Sequence, residues 1–446
     1  MSNTSLDLLH DLVQKAKKAG ADAADAAAIE ATSKSVSWHN GKLEDVDGSE
    51  GEDIGLRVFI GKRQAMVSTS DRSTESLNKL IDRCMSMAKA VPEDPYCGLA
   101  PEDKLHTGPL AELDLYDDTD VSAETLAEIA HRAEDALYSV DGVTNSSGAG
   151  ASAGSWSMAL VTSHGFSNSY KGSSFSASVS GVAGEGTGME RDYDFTSARH
   201  FQDMDSPEEF GRRAGEQAVA RLNPTKMTSG SLPVVFAPRV ANSLLGHFAG
   251  AINGTGIARG TSFLKDYLNK QTFSNGISII DDPKIVRGLK SRLFDGEGVQ
   301  VQKCALVDDG VLKMWTLNSA AARQLNLPVT GHAGRSTSSP PGIGCSNLYM
   351  AAGTVSKDDL IADIKDGVYI TELIGMGVNG VTGDYSRGAA GHRIRNGVIA
   401  EPVSEITIAG NLKEMFMQCV AASDLKFRYS SNAPTVRIDG MMIAGS

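Results

Sequence analysis

The stretch Val378-Asn-Gly-Val-Thr-Gly-Asp-Tyr-Ser-Arg-Gly-Ala-Ala-Gly-His-Arg-Ile-Arg-Asn-Gly-Val-Ile-Ala-Glu-Pro-Val-Ser-Glu-Ile-Thr-Ile-Ala-Gly-Asn-Leu412 decides how the chain is read. Asn396-Gly397 lies between Arg393-Ile394-Arg395 and Val398-Ile399, and Asn-Gly supplies the positive φ angles of a two-residue hairpin turn. The segment therefore predicts a Gly-rich loop followed by two antiparallel strands. The loop sets Asp384, Tyr385, Ser386 and Arg387 among Gly380, Gly383, Gly388 and Gly391. Glycines let a ligand or a second chain approach the backbone closely. An acid, two hydroxyls and a guanidinium in such a loop suit a polar partner, while the plainer alternative is a surface loop that pairs locally.

Working outward, the same grammar recurs. Asn40-Gly41 separates Val36–Trp38 from Leu43–Val46, Gly61-Lys62 separates Ile54–Ile60 from Gln64–Ser68, and Asp309-Gly310 separates Cys304–Val307 from Val311–Trp315. Helical spacing of apolar residues predicts helices over Ser5–Gly20, Thr74–Ala90, Ser122–Tyr138, Pro207–Leu222, Val240–Ile252, Lys357–Ile364 and Leu412–Val420. Pattern alone leaves Ala23–Ile29 open. Between Val143 and Phe201, Ser, Gly, Ala and Thr dominate, and alternation such as Phe175-Ser-Ala-Ser-Val179 predicts sheet. Further strands are predicted at Val368–Leu373, Thr435–Ile438 and Met441–Ile443. The fold class is α+β. With 446 residues the prior is two strand-rich domains, 1–224 and 225–446, divided at Asn223-Pro224, with hairpins and a few helices and the cleft loops in the second.

The net charge of −13 and the lack of any basic run argue against nucleic acid as a partner. No apolar stretch reaches membrane-spanning length, and the N-terminus does not read as a secretory signal. Five scattered cysteines without a C-x-x-C point to free thiols in a reducing cytoplasm.

Asn253-Gly254-Thr255-Gly256 follows a helix and lacks Gly-Lys-Ser/Thr, so it is neither a dinucleotide fingerprint nor a P-loop. A zinc peptidase needs two helical imidazoles on one face and a carboxylate to activate water. The helix Val240–Ile252 has one histidine, His247, and no acid. His332 and His392 sit in Gly-rich stretches that can line a cleft, with Arg335 close to the former. Ser336–Gly344 has the prolines and glycines of an extended segment that can present main-chain groups to a peptide, or of a plain edge loop.

Gly383-Asp-Tyr-Ser-Arg-Gly-Ala389, the Asn396-Gly397 turn and Pro402-Val-Ser-Glu-Ile-Thr-Ile-Ala-Gly-Asn-Leu412, together with Arg57-Val-Phe-Ile-Gly-Lys-Arg63, resemble the TldD/TldE (PmbA) family, also labelled modulator of DNA gyrase, and specifically its TldE/PmbA branch. The resemblance runs over nearly the whole chain and favours a strand ending near Ile29. It implies a cytoplasmic zinc metallopeptidase of two subunits acting on peptides and unfolded polypeptides, with zinc in a TldD-like partner. In the catalytic TldD branch the corresponding helix carries His-Glu-x-x-x-His ahead of a shared Gly-Thr-Ser, here Gly260-Thr261-Ser262. Counting back places Leu245, Gly246 and Gly250 at the motif positions, with His247 out of register. The TldD branch also uses a cysteine near its C-terminal end, and Cys419 stands in that neighbourhood as a core residue. The resemblance thus implies no metal and no catalytic residue in this chain. It implies a heterodimer, and the residue types in the loops assign the substrate or partner cleft of this chain to Asp384, Tyr385, Ser386, Arg387 and His392, with His332 and Arg335 behind them. A homodimeric, non-enzymatic peptide- or protein-binding scaffold is the alternative.

Overall fold

The computed structural model describes residues 3–445. The N-terminal half is built on one antiparallel sheet. Its strands are β1 (Ala23–His39), β2 (Lys42–Ile60), β3 (Arg63–Thr69), β4 (Val143–Thr162), β5 (Ser167–Ala183) and β6 (Glu190–Ala198), in spatial order β3-β2-β1-β4-β5-β6. Helices α1 (Asn3–Lys18) and α2 (Thr74–Ala90) cover one end of it, where Ala24, Ala26, Ala28, Ile54, Leu56 and Val58 face Leu9, Leu12, Leu80 and Ile81. Helices α3 (Ala123–Tyr138) and α4 (Pro207–Val219) cover the other end, over Val36, Ala149, Ala151 and Phe175. Each of α2, α3 and α4 starts on a serine whose side chain accepts a backbone N–H: Ser73 from Ser76, Ser122 from Thr125, Ser206 from Glu209. The α3–α4 crossing is close because Gly211 has no Cβ, which would otherwise lie 2.3 Å from the Ala133 carbonyl oxygen.

The C-terminal half closes a barrel. β7 (Gly230–Phe236) pairs in parallel with the strand Asp366–Ile374 and antiparallel with Val436–Ala444. Asp366–Ile374 continues to Asp384–Arg395, that strand to Val398–Asn411, and the last returns to Val436–Ala444. The five strands leave no free edge along these pairings, and Cys419–Ala421 adds to Val436–Ala444 on its own. Helix α5 (Pro238–Ala251) packs against the barrel through Val240, Ala241, Leu244, Leu245 and Phe248. Phe273 stacks on Phe416 at 4.3 Å, and Phe248 meets Phe273 edge-on at 5.3 Å. A second sheet, containing Ile279–Asp282, Cys304–Asp308 and Asn347–Met350, lies beside it.

The architecture is α+β and strand-rich throughout, as the turn grammar predicts. Three local readings change. The expected short strands Val36–Trp38 and Leu43–Val46 are the tips of β1 and β2, which run 17 and 19 residues. On β2 every residue from Lys42 to Asp53 is exposed, and on β1 Ala31–Lys34 are exposed, so no apolar alternation marks the length of either strand. Asp384–Arg387 is not loop but the first turn of side chains along the strand Asp384–Arg395. The last helix stops at Met417, because Cys419 already pairs with Ile438.

The halves meet through both apolar and charged contacts. Phe294 meets Phe166 at 4.9 Å and Tyr170 at 5.1 Å, beside Ala27, Leu160 and Val299. Arg239 reaches Asp192 at 2.7 Å, Arg428 reaches Asp194 at 3.0 Å, and Arg221 bridges Asp192 and Glu372. Thr337, in the predicted Ser336–Gly344 segment, sits so close to β2 that a Cβ on Gly55 would lie 2.2 Å from its carbonyl oxygen. Thr337 is thus packed against β2, while Ser338–Pro340 of the same segment are exposed.

Candidate functional site

The loop before the strand Asp384–Arg395 is fixed by its own hydrogen bonds. Asn379 N–H donates to Asp384 O (2.8 Å), Ser386 N–H to Gly377 O (2.7 Å) and Gly383 N–H to Asn379 O (2.8 Å). Asn379 Oδ1 accepts from Val381 N–H at 2.9 Å. Phe263 N–H donates to Gly380 O (3.1 Å), which ties the loop to the chain leaving α5. Met376–Gly380 and Asp384–Ser386 line a cavity of about 560 Å³.

Strand alternation sorts the side chains at this cavity. Asp384 and Ser386 are exposed, whereas Tyr385 is 1% exposed. Thr382 and Asn411 hydrogen-bond the Asp384 carboxylate at 2.6 and 3.1 Å and hold its pKa below the ordinary value. Burial pushes the Tyr385 phenol well up, and its hydroxyl has no partner. The His247 ring, on α5, lies 6.0 Å from the Tyr385 ring in an edge-on arrangement. His247 Nε2 is also buried without a partner. Burial, with the nearby Arg387 charge, lowers the His247 pKa, so the imidazole is neutral at pH 7. Two neighbouring rings thus each carry a buried polar atom without a partner among the described residues, and Tyr385 lies between the exposed Asp384 and Ser386. Such groups cost stability unless something bonds to them. Next to His247, Gly246 and Gly250 are exposed, and a Cβ built on either meets nothing within 4 Å. Packing within the chain does not demand these two mid-helix glycines.

The seven residues singled out in the sequence do not form one cleft. Asp384, Tyr385, Ser386 and Arg387 stay together, with Arg387 Nε donating to Ile374 O at 3.3 Å. His392 is five residues further along the strand, about 17 Å at the usual rise. There its Nε2 is bonded to Ala220 O at 3.0 Å, against the N-terminal half. His332 is buried, with Nδ1 bonded to Thr330 Oγ1 at 2.9 Å and Nε2 3.3 Å from Asp281 Oδ2. The Arg335 side chain is fully buried and bonds Asp25 Oδ1 at 2.5 Å. Arg57 Nε donates to the other oxygen of Asp25 at 2.9 Å. The Gly-rich surroundings that suggested open loops belong largely to strands, Ala333–Gly334 beside His332 and Arg335 and Asp384–Arg395 around His392. His247 is the residue that spacing alone set aside, because only tertiary contact brings it to Tyr385.

The positions on α5 cannot hold zinc as two helical imidazoles would. Leu245 is buried in the core, and Gly246 and Gly250 have no side chain. Among the described residues no three His, Cys, Asp or Glu side chains converge to hold a metal ion. Cys419 donates to Met415 O at 3.3 Å, and burial pushes its thiol up to about 12.

Comparison with known proteins agrees with this architecture. Residues 24–88 match the PmbA/TldA metallopeptidase domain 1, residues 116–222 its central domain and residues 229–445 its C-terminal domain. The metalloprotease PmbA of Escherichia coli O157:H7 is 35% identical over 95% of this chain and 92% of its own length. A metalloprotease PmbA homolog of Haemophilus influenzae is 34% identical over 97% of this chain and 94% of its own. Among solved structures, one described as a modulator of DNA gyrase from Bacteroides thetaiotaomicron superposes with a TM-score of 0.91 at 25% identity, covering all of both chains. TldE from Thermococcus kodakarensis superposes with a TM-score of 0.88 at 20% identity, over 98% of this chain and all of its own, a likeness of fold. The chain belongs to the PmbA/TldD metallopeptidase family.

Proposed function

We propose that this chain is the zinc-free, TldE/PmbA-like subunit of a cytoplasmic two-subunit metallopeptidase that acts on peptides and unfolded polypeptides. The observation that carries the reading is the surface of α5. Where a metallopeptidase helix needs two imidazoles and a glutamate, this helix offers Leu245, Gly246 and Gly250, flanked by a neutral, half-buried His247. The metal and the activated water would come from a TldD-like partner.

This chain's contribution would be to hold substrate. Asp384 and Ser386 present an acceptor and a hydroxyl at the cavity rim, and the buried Tyr385 hydroxyl would bond a peptide's polar group if substrate opens the cavity. Bare glycines on α5 leave room for a backbone to lie against the helix. Five free cysteines suit a reducing compartment.

The test is hydrolysis of an unfolded polypeptide by this chain alone, by a TldD-like subunit alone and by the two mixed. Activity of the mixture only, or well above either component, is the expected result. Zinc-dependent hydrolysis by this chain alone would overturn the proposal.

A further inference from the structure

The N-terminal sheet has one edge that the chain leaves bare. β2 pairs with β1 along its length, but β3 pairs with it only from Ile54 to Ile60. The twelve residues Lys42–Asp53 are all exposed, with no strand on their outer side among the described residues. Such an edge presents unpaired N–H and C=O groups, and folded proteins usually blunt it with proline, bulges or a covering segment. There is no proline here. The ladder shifts register only near the hairpin tip, opposite Ser37 and Trp38, and Asp45–Asp53 then runs unbroken against Ser37–Ile29.

The chemistry of this edge is one-sided. It carries Glu44, Asp45, Asp47, Glu50, Glu52 and Asp53 against a single Lys42. Glu44 pairs with His39 at 3.1 Å and Glu52 with Arg72 at 3.0 Å, and the other four carboxylates have no ion pair among the described residues. By the period of two, Asp45, Asp47 and Asp53 project from one face and Glu50 and Glu52 from the other. Leu43 and Val46 are about half exposed on the same strand, at 48% and 50%. Beside the edge, the sheet face between the two helical layers is bare, and Thr32, Ser49 and Ser155 line a groove of about 530 Å³ opposite Asp117, Asp118 and Asp120.

We infer that the β2 edge accepts an extended segment of a cationic partner polypeptide as a seventh strand. Main-chain groups of the incoming strand would pair with those of Asp45–Asp53, and lysines or arginines on either of its faces would meet a carboxylate. A second copy of this chain is the wrong occupant. Two such edges would set carboxylates opposite carboxylates in a chain of net charge −13. The inference does not depend on the substrate role given to the C-terminal cavity.

The experiment uses the full chain and a fluorescent twelve-residue peptide alternating Lys and Thr, with an alternating Glu-Thr peptide as control. Binding is read by anisotropy and by amide hydrogen exchange. The Lys-Thr peptide should bind at least tenfold more tightly than the control and slow exchange at Asp45–Asp53. N-methylation of one alternate set of peptide amides should abolish binding, while methylation of the other set leaves it. The double substitution Asp47→Lys, Glu50→Lys, on exposed positions, should weaken binding at least tenfold with the melting temperature unchanged. Binding without protection of β2, or with neither methylated set affected, would overturn the inference as plain charge attraction. No binding of either peptide would overturn it too, leaving the carboxylates as guards against aggregation. Protection of Asp45–Asp53 by self-association without peptide would assign the edge to a second copy instead.

Discussion

Arg335, from the C-terminal half, places Nη2 2.5 Å from Oδ1 of Asp25 on β1, with both side chains almost fully buried. Arg57 holds the second oxygen of the same carboxylate. One buried acid thus bridges two guanidiniums drawn from the two halves of the chain. Removing a single partner of a buried pair strands the remaining charge in a low-dielectric interior, which costs about 3–5 kcal/mol. Asp25→Asn leaves both arginines without their counter-charge. It should lower stability by about that amount, read as a lower denaturant midpoint in equilibrium unfolding. An unchanged midpoint would mean that water already screens the cluster.

The same acid sets a pH dependence. Burial raises the Asp25 pKa, but Arg335 and Arg57 outweigh it and hold the group below its ordinary value of 3.8. With the folded pKa depressed, the folded state binds fewer protons than the unfolded one. The contribution is therefore fully present above pH 4 and is lost as pH falls through the folded pKa. Acid titration of the wild type should show stability falling below pH 4. Asp25→Asn should show a shallower fall from a lower starting level.

Tyr385→Phe separates stability from binding. Its hydroxyl is buried without a partner, so deleting it removes a desolvation cost of about 1–3 kcal/mol rather than a bond. Thermal stability should hold or rise. If the hydroxyl engages substrate, affinity for a labelled unfolded polypeptide, measured with the assembled subunits, should fall about tenfold, the worth of one hydrogen bond of about 1.4 kcal/mol.

Gly246→Ala and Gly250→Ala probe the bare face of α5. A Cβ meets nothing in the chain at either position, and alanine is better than glycine in a helix by about 1 kcal/mol. Both variants should be more stable in thermal unfolding. On the proposed reading, peptide hydrolysis after mixing with a TldD-like subunit should drop, because the added methyl would occupy space for a substrate backbone. Full activity would show that nothing approaches this face closely.

Fold and site were legible to different depths. Asn396-Gly397 and Asp309-Gly310 announced their hairpins, and both Asn396 and Asp309 adopt positive φ, at 49° and 46°. Barrel closure was not legible, since the pairing of Thr407 with Ala444 joins residues that no local pattern connects. Asp384–Arg387 was found as a cluster because its residue types stand out among glycines. Its sorting into rim and core follows from strand alternation, once the segment is known to be strand. His332 and Arg335 read as open-loop residues because Gly-rich sequence marks tight packing as readily as exposure. Their partners, Asp281 and Asp25, lie far away in sequence. The bare edge of β2 was hidden for the opposite reason: a strand exposed on both faces has no apolar rhythm to betray its length.

The central claim is that this chain carries no catalytic metal and depends on a partner for chemistry. The most direct measurement is native mass spectrometry of the chain purified without chelators, alone and after mixing with a zinc-loaded TldD-like subunit. The account predicts no zinc on the chain alone and one zinc in a one-to-one complex that hydrolyses peptides. One zinc per isolated chain, removed by a chelator together with peptidase activity, would contradict it.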